Sequence, residues 1–307
     1  LPDKPDVVIG PSVPLLTGWA ASEIARRKQA AFVFEVRDVW PIALVDDGGL
    51  SKRSPVYYAF RAIEKYLYRK AHRISATMPF LFDHVAESGG DPKKVTWIPN
   101  GVDFGRFAGM EPYDGGAGLP LVAMYVGGFG VAHDVITIVR AAKLLQQQGN
   151  AGYRFVLIGD GVKRNECRRE ASGLPNMEFR DPVAKAEVPR VQMESDVLIA
   201  CVLDSAAYRF GLNLNKLFDY FASGRPVIFA GNAPNDPIKE SGAGVSIPPE
   251  KPEAMVEALK TLLAMSPGAR METGRRGRRY VEDTYDMRKL ADRMELMLLQ
   301  AIKDRES

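Results

Sequence analysis

Lys216 and Asp219 stand three residues apart in "FGLNLNKLFDYFASGRPV", Phe210 to Val227. A carboxylate can accept two hydrogen bonds from a vicinal diol such as that of ribose, and charge-assisted bonds of this type are worth about 1.5–3 kcal/mol each. An ammonium can neutralise a phosphate as a point charge. Three glycine-bearing turns surround that pair with further chemistry. "YVGGFGVAHD" carries Gly127, Gly128, Phe129 and Gly130, with His133 just beyond. "IGDG" carries Gly159 and Gly161, and "RFGLNLNK" carries Gly211, Leu212, Asn213 and Asn215. Glycine lets backbone come close to a ligand, and a helix that follows offers free N–H groups to an anion. Any one of these turns also fits a tight packing turn; three at one sheet edge suit a diphosphate.

The elements that must position these residues are legible from periodicity. Leu214, Leu217, Phe218 and Phe221 fall at i, i+3, i+4 and i+7, one apolar helical stripe. Asn213 or Asn215 is expected to cap the helix, and Gly224 and Pro226 to stop it. Lys216 and Asp219 then project away from the stripe, where a merely solvated pair is the competing reading. From Leu121 onward the apolar runs "LVAMYV", "RFVLIG", "DVLIACVL", "PVIFAG" and "GVSI" alternate with helix-period segments. Continuous apolar strands spaced by helices predict a doubly wound α/β domain with a parallel sheet. The first hundred residues repeat the pattern in shorter form, with strands "VVIG", "FVFEV", "RISAT" and "VTWIP" and a helix from Tyr57 to Ala71. A glycine- and proline-rich link, Gly109 to Pro120, separates the two. The expected organisation is residues 1–108, residues 109–285, and a closing helix in 286–307, Met287 to Ile302, that crosses back to the first domain. Open α/β sheets bind ligands beyond the carboxyl ends of their strands, so two such domains enclose a cleft.

Bulk properties narrow the function classes. At 307 residues two domains are expected, and 46% hydrophobic content is ordinary for a globular protein. A net charge of +3 is too small to imply nucleic acid. Cys167 and Cys201 lack metal-ligand spacing and read as reduced thiols of a cytoplasmic protein. His72, His84 and His133 are scattered, and Asp46 and Asp47 in "VDDGG" read as a solvated turn, so no metal is expected.

"YVGGFG…H", "IGDG", "NKLFDYFASGRPVI" and "IPNGVDFGRF" resemble the retaining glycosyltransferases of family four, which have the GT-B fold of two Rossmann-like domains facing a cleft. "VRDVWPIALVDDGG" and "YLYRKAHRI" are similar to the bacterial branch that builds surface and O-antigen polysaccharides. The resemblance runs from about Pro5 to the last helix. It implies a nucleotide-sugar donor, most often uridine diphosphate linked to an N-acetylated hexosamine, held by the second domain, with no cofactor and no metal. It implies an acceptor site, lipid-linked or saccharide, in the first domain. Asp219 matches the acid that holds the ribose. The preceding glutamate of the family's pair falls on Gly211, so backbone amides of Leu212 to Asn215 would serve the phosphates. The family's arginine and lysine after the glycine turn fall on Gly128 and His133. Helix starts, Lys216 and His133 would then stabilise the departing diphosphate. The family's opening strand–loop–helix units have no counterpart before Leu1, so upstream residues are expected.

Asp38 follows "FVFEV" and is placed to orient or deprotonate an acceptor hydroxyl, with Arg37 as a phosphate contact; a turn cap is the alternative. The basic, tyrosine-rich face of Tyr57 to Ala71 suits either solvent or an anionic membrane at the inner face of the cell membrane. "GRRGRRY", Gly274 to Tyr280, offers the same choice. A non-catalytic nucleotide-sugar binder or partner subunit is the alternative function, and an epimerase of the same architecture is a third.

Overall fold

A computed structural model describes residues 4–46, 49–116 and 118–306. The first sheet runs β1 (Val7–Pro11), β2 (Ala31–Val36), β3 (Arg73–Ala76) and β4 (Val95–Trp97), side by side in that order. The second comprises β5 (Leu121–Val126), β6 (Tyr153–Ile158), β7 (Met177–Arg180), β8 (Val197–Cys201), β9 (Val227–Ala230) and β10 (Gly244–Ile247). Its order is β10-β9-β8-β5-β6-β7. Every pairing in both sheets is parallel. All five residues of β8 and all four of β9 are buried, as unbroken apolar runs covered on both faces should be.

β7 is an element that the apolar-run reading passes over. Its sequence "MEFR" alternates polar and apolar, all four residues are only half-buried, and it lies at the sheet edge. Beyond it the chain order matters for function. Connections from β5 lead outward through β6 to β7, while β8 begins the run on the other side. The order therefore reverses between β5 and β8, and a crevice opens beyond their carboxyl ends.

The chain crosses between the sheets twice. After β4 it passes through Val102, whose N–H donates to the Tyr285 carbonyl at 2.8 Å while its own carbonyl accepts from Met287 at 3.1 Å. Helix Met287–Glu306 then lies against the first sheet, where Leu290, Met297 and Ala301 bury Ala31 and Val33. Arg270, 6% exposed, anchors the link by donating to the carbonyls of Gly115 and Gly116 as well as to Leu262, Leu263 and Met265. In "GRRGRRY", Arg278 stacks on Phe104 at 4.6 Å, and Gly274 packs against the Gly224 carbonyl, so part of this stretch is structural. Both cysteines are free and buried.

Candidate functional site

The switch point between β5 and β8 gathers several of the expected residues. β5 delivers Tyr125, fully buried, whose hydroxyl donates to the Gly128 carbonyl at 2.6 Å. That hydroxyl in turn accepts from Lys216 Nζ at 2.8 Å, and the ammonium lies 4.6 Å from the centre of the Tyr125 ring. Among the described residues no carboxylate pairs with Lys216. Burial disfavours its charge and lowers its pKa to about 8, so at neutral pH the ammonium persists in a site that supplies little to compensate it.

Two glycine loops meet beside this cation. A Cβ on Gly127 would lie 3.0 Å from Lys216 Nζ, and one on Gly159 would overlap the Gly127 carbonyl. Gly159 has φ +137°, which L-residues rarely adopt. Gly159 and Gly161 thus serve the contact between the two loops, and the Gly161 N–H is held by its neighbour Asp160. Phe129, expected at the donor site, is instead core. Its ring packs 5.6 Å from Tyr125 and 6.4 Å from Phe179, and its N–H and carbonyl bond Asp160 and Lys163.

His133 sits next to Gly130 and Lys216, but burial and the nearby ammonium lower its pKa to about 4. It is neutral at physiological pH, the form in which an imidazole is only a weak counter-charge; its buried Nδ1 has no partner among the described residues. The helix after it, Val135–Gln147, does not present a clear N-terminus to an anion either, because Asp134, 3% exposed, occupies its N-cap. Of Lys216 and His133, the two side chains expected to supply positive charge here, Lys216 is the one that carries it at neutral pH.

Lys216 and Asp219 lie on helix Asn215–Ala222, whose Leu217, Phe218 and Phe221 are buried as the stripe requires. Tyr220, also buried, pins it to β5 by accepting from Val126 N at 2.8 Å and donating to Val126 O at 2.9 Å. Neither asparagine caps the helix; Leu214 stands at the N-cap. Asn213 instead accepts from the Asn100 N–H at 3.2 Å, reaching across to the first domain. Leu212 N donates to Asn235 Oδ1 at 2.6 Å, so that amide is already engaged. Exposed Asn215 opens the helix. Asp219 does not pair with Lys216 but with Arg106, at 3.3 Å. Burial raises the Asp219 pKa, and the cations of Arg106 and Lys185 work against that rise.

The segment before this helix is not the strand-to-helix turn that spacing suggests. Ala206–Phe210 forms a 3-10 turn, and the following loop straps the two domains together. Phe210 O accepts from Phe80 N at 3.1 Å, Arg209 pairs with Asp46 at 2.7 Å, and the Phe210 ring lies 5.1 Å from that of His84. His84 is buried and bonds Glu64, itself buried and paired with Arg61. Asp46 is thus an ion-pair partner; Asp47 lies outside the described residues.

Between strap and first sheet is a cavity of about 320 Å³ lined from one side by Arg37, Asp38, Thr77 and Asn100 and from the other by Tyr208, Gly211 and Asn213. Asp38 therefore does face the cleft, as the end of β2 predicts, with its carbonyl fixed by Ser12 Oγ at 2.9 Å. A wider concavity of about 760 Å³ lies at the ends of β9 and β10. Its charges partly satisfy one another, Lys239 with Asp236 at 3.1 Å, and the glycine loops and Lys216 lie elsewhere. Sequence reasoning missed Tyr125, Arg106 and Asn235, which hold Lys216, Asp219 and Leu212. Tyr125 is hidden in an apolar run, and Arg106 in the motif "IPNGVDFGRF", where it carries no assigned role.

Comparison with known proteins agrees with this geometry. Residues 2–101 match the model of the glycosyl transferase 4-like domain, and residues 120–265 that of glycosyl transferases group 1. The chain belongs to the glycosyltransferases of family four. It is 23% identical over 253 residues to a probable glycosyltransferase, WbjE, of Pseudomonas aeruginosa, matching 74% of this chain and 58% of that protein. The chain thus spans little more than half of that relative's length. Among solved structures it is similar to sucrose-phosphate synthase of Thermosynechococcus elongatus, with TM-score 0.73, 17% identity, and 96% of this chain and 73% of that one covered. It is also similar to HepE of Anabaena in complex with UDP and glucose, with TM-score 0.71, 12% identity, and 95% and 77% covered. This chain shares with these structures the GT-B arrangement of two parallel-sheet α/β domains. No helix among the described residues is long and apolar enough to cross a membrane.

Proposed function

We propose that this family-four protein transfers a sugar from a nucleoside diphosphate donor, a UDP-sugar, to an acceptor hydroxyl with retention and without a metal. The observation that carries the reading is Lys216: a half-buried ammonium with no carboxylate partner among the described residues, beside glycine loops at the switch point of a parallel sheet. An unpaired cation removed from water calls for an anion, and a diphosphate supplies one. The solved complexes of HepE with UDP and with UDP-glucose support the nucleotide class.

In this reading the diphosphate lies along Gly127 and Gly128 against Lys216. Neutral His133 donates or accepts a hydrogen bond there rather than supplying charge. Asp219 receives the ribose diol. The reacting sugar enters the interdomain cavity, where Asp38 orients the acceptor hydroxyl. As the glycosidic bond to phosphate breaks, Lys216 stabilises the charge that develops on the leaving diphosphate. The acceptor hydroxyl attacks from the face the diphosphate leaves and passes its proton to the departing phosphate oxygen, which keeps the anomeric configuration. The donor sugar is of the N-acetylated hexosamine type, and the product enters a surface polysaccharide. A lipid-linked acceptor would be met at the inner face of the membrane through Tyr58, Tyr66, Arg69 and Lys70, all exposed on one helix.

Gly211 favours a second reading, a nucleotide-sugar binder without catalysis, since no carboxylate stands where family members often carry one. One assay separates the two. Incubation with UDP-hexosamines and simple pyranoside acceptors should release UDP, and proton NMR of the product should show the donor's anomeric configuration retained. Inverted product would overturn the mechanism, and tight UDP-sugar binding without release would favour the non-catalytic reading.

A further inference from the structure

Arg106 has no part in the chemistry described so far, yet it connects two borders of the nucleotide site. It lies on the 3-10 turn Phe104–Phe107, in the crossing between the sheets. Its Nη1 donates to Asp219 Oδ1 at 3.3 Å and its Nη2 donates to the Lys185 carbonyl at 2.8 Å. Lys185 belongs to the segment that leaves the carboxyl end of β7, and Asp219 to the helix that follows the strap. One planar fork therefore ties the β7 loop to the carboxylate. Both side chains of the ion pair are 21% exposed, so the pair is reachable from the crevice without being freely solvated.

The fork is held rigidly from behind. Asp103 Oδ1 accepts from Gly105 N at 2.9 Å, Phe107 is buried, and Arg278 stacks on Phe104 at 4.6 Å. A guanidinium presents its donors in fixed geometry, so holding its turn also fixes the direction in which it points. Among the described residues the carboxylate is engaged at Oδ1, which leaves Oδ2 to accept from a ligand.

Resting on the assignment of Asp219 to the ribose, we infer that Arg106 is a positioning residue for the nucleotide: it aims the Asp219 carboxylate at the ribose hydroxyls and fixes the β7 loop beside them. It touches no reacting atom. Without it the carboxylate is free to rotate and the loop loses its tether, so the loss should be felt through the ribose hydroxyls.

The test is calorimetric titration of UDP and of 2′,3′-dideoxy-UDP into wild type, Arg106→Met, Arg106→Lys and Asp219→Ala, with thermal melting of each. Arg106→Met should weaken UDP about tenfold, the loss of roughly one charge-assisted bond. It should change dideoxy-UDP by less than about twofold, because that nucleotide makes no bond for Asp219 to lose. Arg106→Lys, which keeps the charge but replaces the rigid planar fork with a compact, rotatable ammonium, should fall between. Equal weakening of both nucleotides by Arg106→Met would reduce Arg106 to a structural prop and overturn the inference. Tighter UDP binding would also overturn it, by showing that Arg106 occupies the ribose place. If Arg106→Met discriminates as expected but Asp219→Ala does not, the ribose assignment fails instead, and with it the route proposed for Arg106.

Discussion

Lys216→Met should lower sugar transfer by about two to three orders of magnitude, the cost usually paid when a preorganised donor to a developing negative charge is removed. The Nζ has the Tyr125 hydroxyl as its hydrogen-bond acceptor and the Tyr125 ring as its platform. Neither neutralises it, so its charge remains available to the leaving diphosphate. Methionine fills similar space without charge and removes the burden of a half-buried ammonium, so the melting temperature should hold or rise while activity falls. The pH dependence follows from the lowered pKa. Lys216 is an ammonium below about pH 8 and is increasingly neutral above it. A bound diphosphate favours the ammonium, so above about pH 8 binding must take up a proton, and UDP affinity should fall by up to about tenfold per pH unit. Below that value this residue should contribute no pH dependence. Steady-state assays and titrations from pH 6 to pH 10 on wild type and Lys216→Met check both statements; the variant should lose the alkaline fall in affinity.

Gly211→Glu restores the acid that family members often carry at this position, and should nevertheless lower rather than raise activity. Gly211 has φ +104° and ψ 165°, a backbone region essentially confined to glycine, where an L-residue costs about 1–3 kcal/mol in strain alone. Its Cβ would come within 2.5 Å of Pro79 and 2.9 Å of Asn235, one in each domain. The strap would have to withdraw, releasing Phe210 from Phe80 and Asn213 from Asn100 and opening the cavity that Asp38 lines. Transfer should drop by about tenfold, the order that strain of this size sets on the population of the closed strap. UDP binding should suffer less, because Lys216 and Asp219 belong to the helix beyond the strap. A Gly211→Glu protein with undiminished transfer would show that the strap is not held as described.

The division between what periodicity reveals and what it conceals is physical. The strands of the second sheet are apolar runs because both faces are covered, and they read plainly; half-buried β7 at the edge does not. The stripe Leu217, Phe218 and Phe221 placed its helix, because burial of one face is a local property of spacing. The partners of Lys216 and Asp219 are not local. Tyr125 lies 91 residues from Lys216, and Arg106 lies 113 from Asp219. Asn213 shows how local reasoning goes wrong: a side chain suited to capping its own helix is used to bind the other domain. His133 was placed correctly near the glycine loop, but its charge depends on burial and on Lys216, neither visible in the sequence.

The central claim is that the second domain holds a nucleoside diphosphate with its ribose on Asp219. Titration of UDP by calorimetry into wild type and Asp219→Ala addresses it most directly. Wild type should bind UDP, and the variant should lose about ten- to a hundredfold in affinity, corresponding to about 1.4–2.7 kcal/mol. Absence of binding to wild type, or equal affinity in both proteins, would contradict it.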